Sequence, residues 1–113
     1  MADKETLLDK RERLADETYE YFWNVCPELT ARWKQAMFTL PPSVLRDLAV
    51  EIQHLEAITN AANQQLSAAA RAGALAGGIP PKELLDRALA SMERLNEAAD
   101  TMMRLLGELL KSA

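Results

Sequence analysis

A single cysteine, Cys26, excludes an intramolecular disulfide and suits a reducing compartment, so the cytoplasm is the expected location. Glycine and proline are scarce, at four and five residues. Four of those prolines form two pairs, Pro41-Pro42 and Pro80-Pro81, so long stretches contain nothing that breaks a helix, which disfavours an all-β chain. No stretch approaches the roughly 18 to 20 apolar residues of a membrane span, and the first ten residues carry charges where a signal peptide needs an apolar core. Neither a membrane anchor nor export is expected. Basic runs are missing as well: 13 Lys and Arg stand against 17 Asp and Glu, the net charge is −4, and the cations are scattered from Lys4 to Lys111. Such a chain cannot easily track a phosphate backbone, so nucleic acid is not the expected partner. Glycine-rich phosphate loops, zinc-ligand spacings and a Ser-His-Asp set are all absent from the sequence, whose one histidine is His54.

What the chain does contain is helix-forming pattern. Its 113 residues are 49% apolar and 27% charged, enough for one core, and the expectation is a single domain over 1–113. Each proline pair is flanked by aliphatic residues, in Leu40-Pro41-Pro42-Ser43-Val44-Leu45 and Ile79-Pro80-Pro81-Lys82-Glu83-Leu84. This reads as one helix-start motif used twice, with Leu40 packing on Leu45 and Ile79 on Leu84 as hydrophobic staples. Gly77-Gly78 supplies the left-handed cap ending the preceding helix. Three long amphipathic helices follow, at about 4–38, 42–75 and 81–111, in an all-α, up-down-up bundle.

The third helix has the clearest period: Leu85, Ala88, Met92, Leu95, Ala99, Met102, Leu106 and Leu109 recur at spacings of three and four. Its apolar face is wider than a two-stranded coiled-coil seam and suits contact with two neighbours. The second helix repeats the seam through Leu45, Leu48, Ile52, Leu55, Thr59, Ala62, Leu66, Ala69 and Gly73, its side chains shrinking towards Gly77-Gly78. Folding one helix on the other sets Leu55 near Met102 and Ala69 near Ala88, and the small residues permit close approach beside a turn prone to fray. The first helix carries a broken stripe through Leu7, Leu8, Leu14, Ala15, Phe22, Val25, Leu29, Trp33 and Ala36. Pro27 falls on its opposite side, which favours a kinked helix over two unrelated elements.

All six aromatic residues lie between Tyr19 and Phe38. Phe22 and Trp33 fall on the stripe and read as core, Phe22 opposite Thr59 and Ala62. Trp23 lies about 120° from the stripe centre, and with Tyr19 it reads as a partner-binding surface, since aromatic side chains are enriched at such contacts. Glu51 and His54 match the Glu-x-x-His spacing of bundle metal sites, but the acidic residues of the third helix fall outside its apolar face, so no metal or cofactor is expected. Cys26 could meet His54 in height along the bundle, yet it reads better as a structural thiol.

The expected function is therefore non-enzymatic: a protein–protein interaction, scaffold or regulatory bundle that holds itself or a partner. A nucleic-acid accessory factor using Lys4, Lys10, Arg11 and Arg13 is the alternative, and a metal- or thiol-dependent enzyme centred on Glu51, His54 and Cys26 the second. Apolar surface in excess of what a broken first helix can cover predicts a homodimer.

Overall fold

The computed structural model describes residues 5–112, which are helical almost throughout and contain no strand. Three long helices pack together. The first is one path in three segments, α1 (Leu7–Tyr19), a π-helical stretch (Glu20–Val25) and α2 (Cys26–Thr39); the second is α3 (Pro42–Leu75) and the third α4 (Lys82–Ser112). No helix among the described residues is long and apolar enough to cross a membrane.

Local chemistry fixes each end. Thr6 caps α1 through a reciprocal pair: its hydroxyl accepts from the Asp9 N–H at 3.0 Å, and the Asp9 carboxylate accepts from the Thr6 N–H at 3.1 Å. Pro27 lacks an N–H, and in an α-helix its ring would press on the carbonyl four residues earlier. The chain widens its turn just ahead of it. The Cys26 N–H bonds to the Tyr21 carbonyl, five residues back, and the helix continues.

The two proline pairs prove equivalent only after a shift of one residue. The Pro41 carbonyl accepts from Val44 and Leu45, and the Pro81 carbonyl accepts from Leu84 and Leu85, all at 3.1 Å. The second proline of the first pair opens α3, whereas Pro81 caps α4 from outside and Lys82 is its first residue. The staple positions at that second start are therefore Pro80 and Leu85, both buried, and not the half-buried Ile79 and Leu84. At the end of α3, Gly77 and Gly78 take φ of 83° and 108°, and the Gly78 N–H reaches the Gly73 carbonyl at 2.6 Å in a Schellman-type closure. Gly73 has its own reason to be glycine: a Cβ there would lie 3.1 Å from Pro80 Cγ.

Cross-links between helices give their directions. Lys10 meets Asp86, Asn96 meets Glu17, and the Arg32 Nη1 donates to the Met103 carbonyl, so residue numbers rise together along the first helix and α4. Those two run parallel, and α3 runs back between them in sequence. The long axis of 51 Å is the length that the 34 residues of α3 span at about 1.5 Å each.

In space α4 is the middle helix, packed against the first helix on one side and α3 on the other, while α1 and α3 scarcely touch. Leu85, Ala88, Met92, Leu95, Ala99, Met102 and Leu106 are all buried, as their period predicts, and Leu109 is half-buried. Each such leucine or methionine contributes about 1.5 to 3 kcal/mol of transfer free energy. From α3 come Leu48, Leu55, Ile58, Ala62, Ala69 and Gly73. The first helix departs from expectation. Its buried residues are Leu14, Tyr21, Leu29 and Ala36, with Leu40 beyond its end.

Phe22, expected in the core, is 42% exposed, and Tyr21 takes the inward place at 5%. The expectation assumes 100° per residue throughout the first helix. The wide turn re-indexes which aromatic ring faces α3 and α4, and the Tyr21 hydroxyl lies near Thr59 and Cys26. Leu7, Leu8 and Ala15 are likewise exposed, while Trp33 is partly buried against the core.

Candidate functional site

Because α1 and α3 lean on α4 and scarcely meet each other, they leave a groove between them at the end of the molecule nearest Gly77-Gly78. It encloses about 700 Å³, within the range of small-molecule and peptide sites. Leu14, Ala69, Gly73, Pro80 and Leu85, all buried, make its floor. One wall is α1 and the π-helical stretch, through Arg11, Ala15, Thr18, Tyr19, Phe22 and Trp23; the other is α3, through Leu66, Ala70 and Ala74.

The two walls differ in character for reasons already in the sequence. Alanine on α3 keeps that side low, and the aromatic cluster raises the other. Tyr19 and Trp23 are 60% and 69% exposed and stack on each other with ring centroids 5.9 Å apart and planes 29° from parallel. Phe22 stands edge-on to the buried Tyr21, with centroids 5.1 Å apart. The wide turn thus sits under the rings that form the rim, and π-helical turns recur at functional sites.

Polar groups in the groove are few. The Thr18 hydroxyl donates to the Leu14 carbonyl of its own helix at 2.7 Å. Among the described residues Arg11 is the one charged member of the lining, and its Nη1 donates to the Gly78 carbonyl at 3.0 Å, tying α1 to the α3–α4 turn.

The other sequence candidates lie elsewhere. Glu51 and His54 are exposed and border a shallow depression with Leu55, Ala98, Thr101, Met102 and Leu105, a lining that includes no carboxylate of α4. Among the described residues no group of three or more His, Cys, Asp and Glu is placed to hold a metal ion. Cys26 is half-buried beside the Tyr21 hydroxyl. Burial raises that hydroxyl above its ordinary range and the Cys26 thiol adds to the rise, while a hydrogen bond with Thr59 opposes it.

Of the N-terminal cations, Lys4 lies outside the described residues. Lys10 pairs with Asp86 at 2.6 Å, and Arg13 with Glu5 at 3.0 Å and Glu93 at 4.0 Å. Hydrogen bonds from Lys10 and then Lys82 hold Asp86 below the usual carboxylate range, so these cations serve the join between α1 and the start of α4. On the same seam Glu17, Glu93, Glu97 and Asp100 gather around Asn96, whose amide donates to the Glu17 carboxylate at 2.8 Å.

Sequence reading singled out Trp23 and Tyr19 but missed the rest of the groove. The available signal was the shrinking of side chains along α3 towards the turn, read there as close packing against α4 alone. Comparison with protein-family models, with curated proteins and with solved structures finds no match for this chain.

Proposed function

We propose that this chain is a non-enzymatic binding protein, a scaffold or regulatory element of the cytoplasm, that self-associates as a homodimer and meets a partner protein through the aromatic rim of the groove. The observation that carries the reading is the stacked Tyr19–Trp23 pair, held largely in water above an apolar floor. Two rings that already fix each other lose little freedom when covered, and large aromatic residues of this kind supply most of the energy at protein contacts. A two-fold arrangement lets the same rim meet itself, which is the commonest way for a small soluble chain to cover such a patch. In this reading the first helix also bends at Pro27, turning the rim outward from the bundle.

Sedimentation equilibrium at micromolar concentration tests the proposal. The expected result is a species of twice the 12.6 kDa chain mass, shifted towards monomer when Tyr19→Ala and Trp23→Ala are combined. A wild-type chain that remains at 12.6 kDa across the range overturns self-association.

A further inference from the structure

We infer that the groove binds a long-chain monocarboxylate, with the hydrocarbon chain along the floor and the carboxylate on the Arg11 guanidinium. This rests on the groove being the working surface but not on self-association, because the rim and the floor are different parts of it. Shape comes first. From Arg11 to Trp23 the wall runs for about 18 Å at 1.5 Å per residue, so the trough is long, narrow and open along one side. Its floor offers aliphatic side chains and its sides offer alanine and aromatic rings, with few polar groups, and the Thr18 hydroxyl among them is already bonded to the Leu14 carbonyl.

Charge decides the chemistry of the head group. The chain carries 17 acidic residues and a net charge of −4, yet among the described residues no acidic side chain lines the groove. Glu12 and Asp16 follow Arg11 and Ala15 in sequence and stay out of the lining. Among the described residues Arg11 is the only charge that faces it, and it sits at the end nearest the turn, where the Gly78 carbonyl engages one of its five N–H donors. A guanidinium held at one end of an otherwise apolar trough complements an anion at one end of an apolar chain, and repels a cation placed there. An uncharged apolar ligand would fit the floor equally well but would leave the positive charge of the guanidinium unmatched.

Dodecanoate, dodecanol and dodecyltrimethylammonium, each below its micelle-forming concentration, are the probes. Binding is read by calorimetry and by tryptophan emission, with the Trp23→Phe variant identifying the part due to Trp23. Saturable one-to-one binding of dodecanoate is expected, with the alcohol roughly tenfold weaker, as befits one lost charge-assisted hydrogen bond, and the cation weaker still. Arg11→Gln should weaken dodecanoate to the level of the alcohol, and Arg11→Lys should restore most of the preference. Ala70→Trp and Ala74→Trp, both at exposed positions on the α3 wall, should abolish binding while circular dichroism and the unfolding midpoint remain those of the folded chain.

Equal binding of all three probes, an Arg11→Gln variant as tight as the wild type, or adsorption that never saturates overturns the inference. So does binding confined to anionic vesicles. Should dodecanoate fail while the Tyr19→Ala, Trp23→Ala pair still abolishes the dimer, the ligand is wrong and the rim stands. Should the dimer fail while dodecanoate binds, the reverse holds.

Discussion

Gly73 and Gly107 both lie inside long helices, so replacing either by alanine brings the same intrinsic gain of about 1 kcal/mol, and any difference between the two reports what the new methyl group meets. At Gly107 it meets the Nη1 of Arg32 at 3.3 Å. That atom is the tip of a flexible side chain, and it can withdraw by a few tenths of an ångström while keeping its 2.8 Å bond to the Met103 carbonyl within hydrogen-bond range. Gly107→Ala should therefore stabilise the protein by about 0.5 to 1 kcal/mol.

At Gly73 the methyl meets Pro80 Cγ at 3.1 Å and Cδ at 3.3 Å. A proline ring has no rotamer to escape into, and Pro80 is buried between the turn and the start of α4, so the turn itself has to shift. Overpacking of this kind costs about 1 to 3 kcal/mol, which outweighs the helical gain and leaves Gly73→Ala destabilising by about 1 kcal/mol. The two substitutions should differ by about 2 kcal/mol and have opposite signs. Urea unfolding followed by circular dichroism, at one fixed protein concentration, measures both, provided the slope with denaturant is unchanged. Equal shifts, or a Gly73→Ala protein more stable than Gly107→Ala, would show that Pro80 does not rest on Gly73.

Leu95→Ala should cost about 2 to 5 kcal/mol because Leu95 is almost wholly buried in the middle helix, while Glu97→Ala on the exposed side should stay within about 0.5 kcal/mol. The same unfolding assay separates the two, and comparable losses would put the phase of α4 in error. Tyr21 should make stability fall in alkali: its hydroxyl is raised above the ordinary range by burial, so the unfolded chain ionises first and the folded form is disfavoured as pH climbs past about 10. Below that range the hydroxyl is neutral in both states and contributes no pH dependence. Unfolding midpoints measured on either side of it should fall less steeply for Tyr21→Phe than for the wild type, and parallel profiles would place Tyr21 at the surface.

The helices, their ends to within a few residues and the whole seam of α4 were legible in the sequence because each rests on local or strictly periodic chemistry. Residues such as Leu85, Met92 and Leu106 need only their spacing to be assigned inward. Proline pairs and Gly77-Gly78 punctuate the chain by restrictions that act within a few residues. The one-residue offset between the two proline motifs was not legible, since Leu40 and Ile79 occupy the same place in the text. It is decided by which carbonyl, that of Pro41 or that of Pro81, lines up with the first two helical N–H groups.

The site was half legible, and the missing half has a specific cause. Trp23 and Tyr19 stood out because a straight helix leaves them without a partner. Phe22 was assigned to the core because nothing in its neighbours marks the turn as wide, although Pro27 four residues beyond Trp23 supplies the reason: its ring needs the space that an α-helical carbonyl of Trp23 would fill. Relief of that clash moves the inward position to Tyr21 and sends Phe22 to the wall of the groove. The opposite wall depends on a relation no single segment contains, namely that α1 and α3 each pack on α4 and scarcely on each other. Small residues at Ala69, Ala70, Gly73 and Ala74 then do two things at once. They let Pro80 and the turn close tightly against α3, and they leave unfilled the space that a larger residue on that wall would have occupied. A proline on one helix and a run of alanine on another therefore produce the groove jointly, and neither predicts it alone.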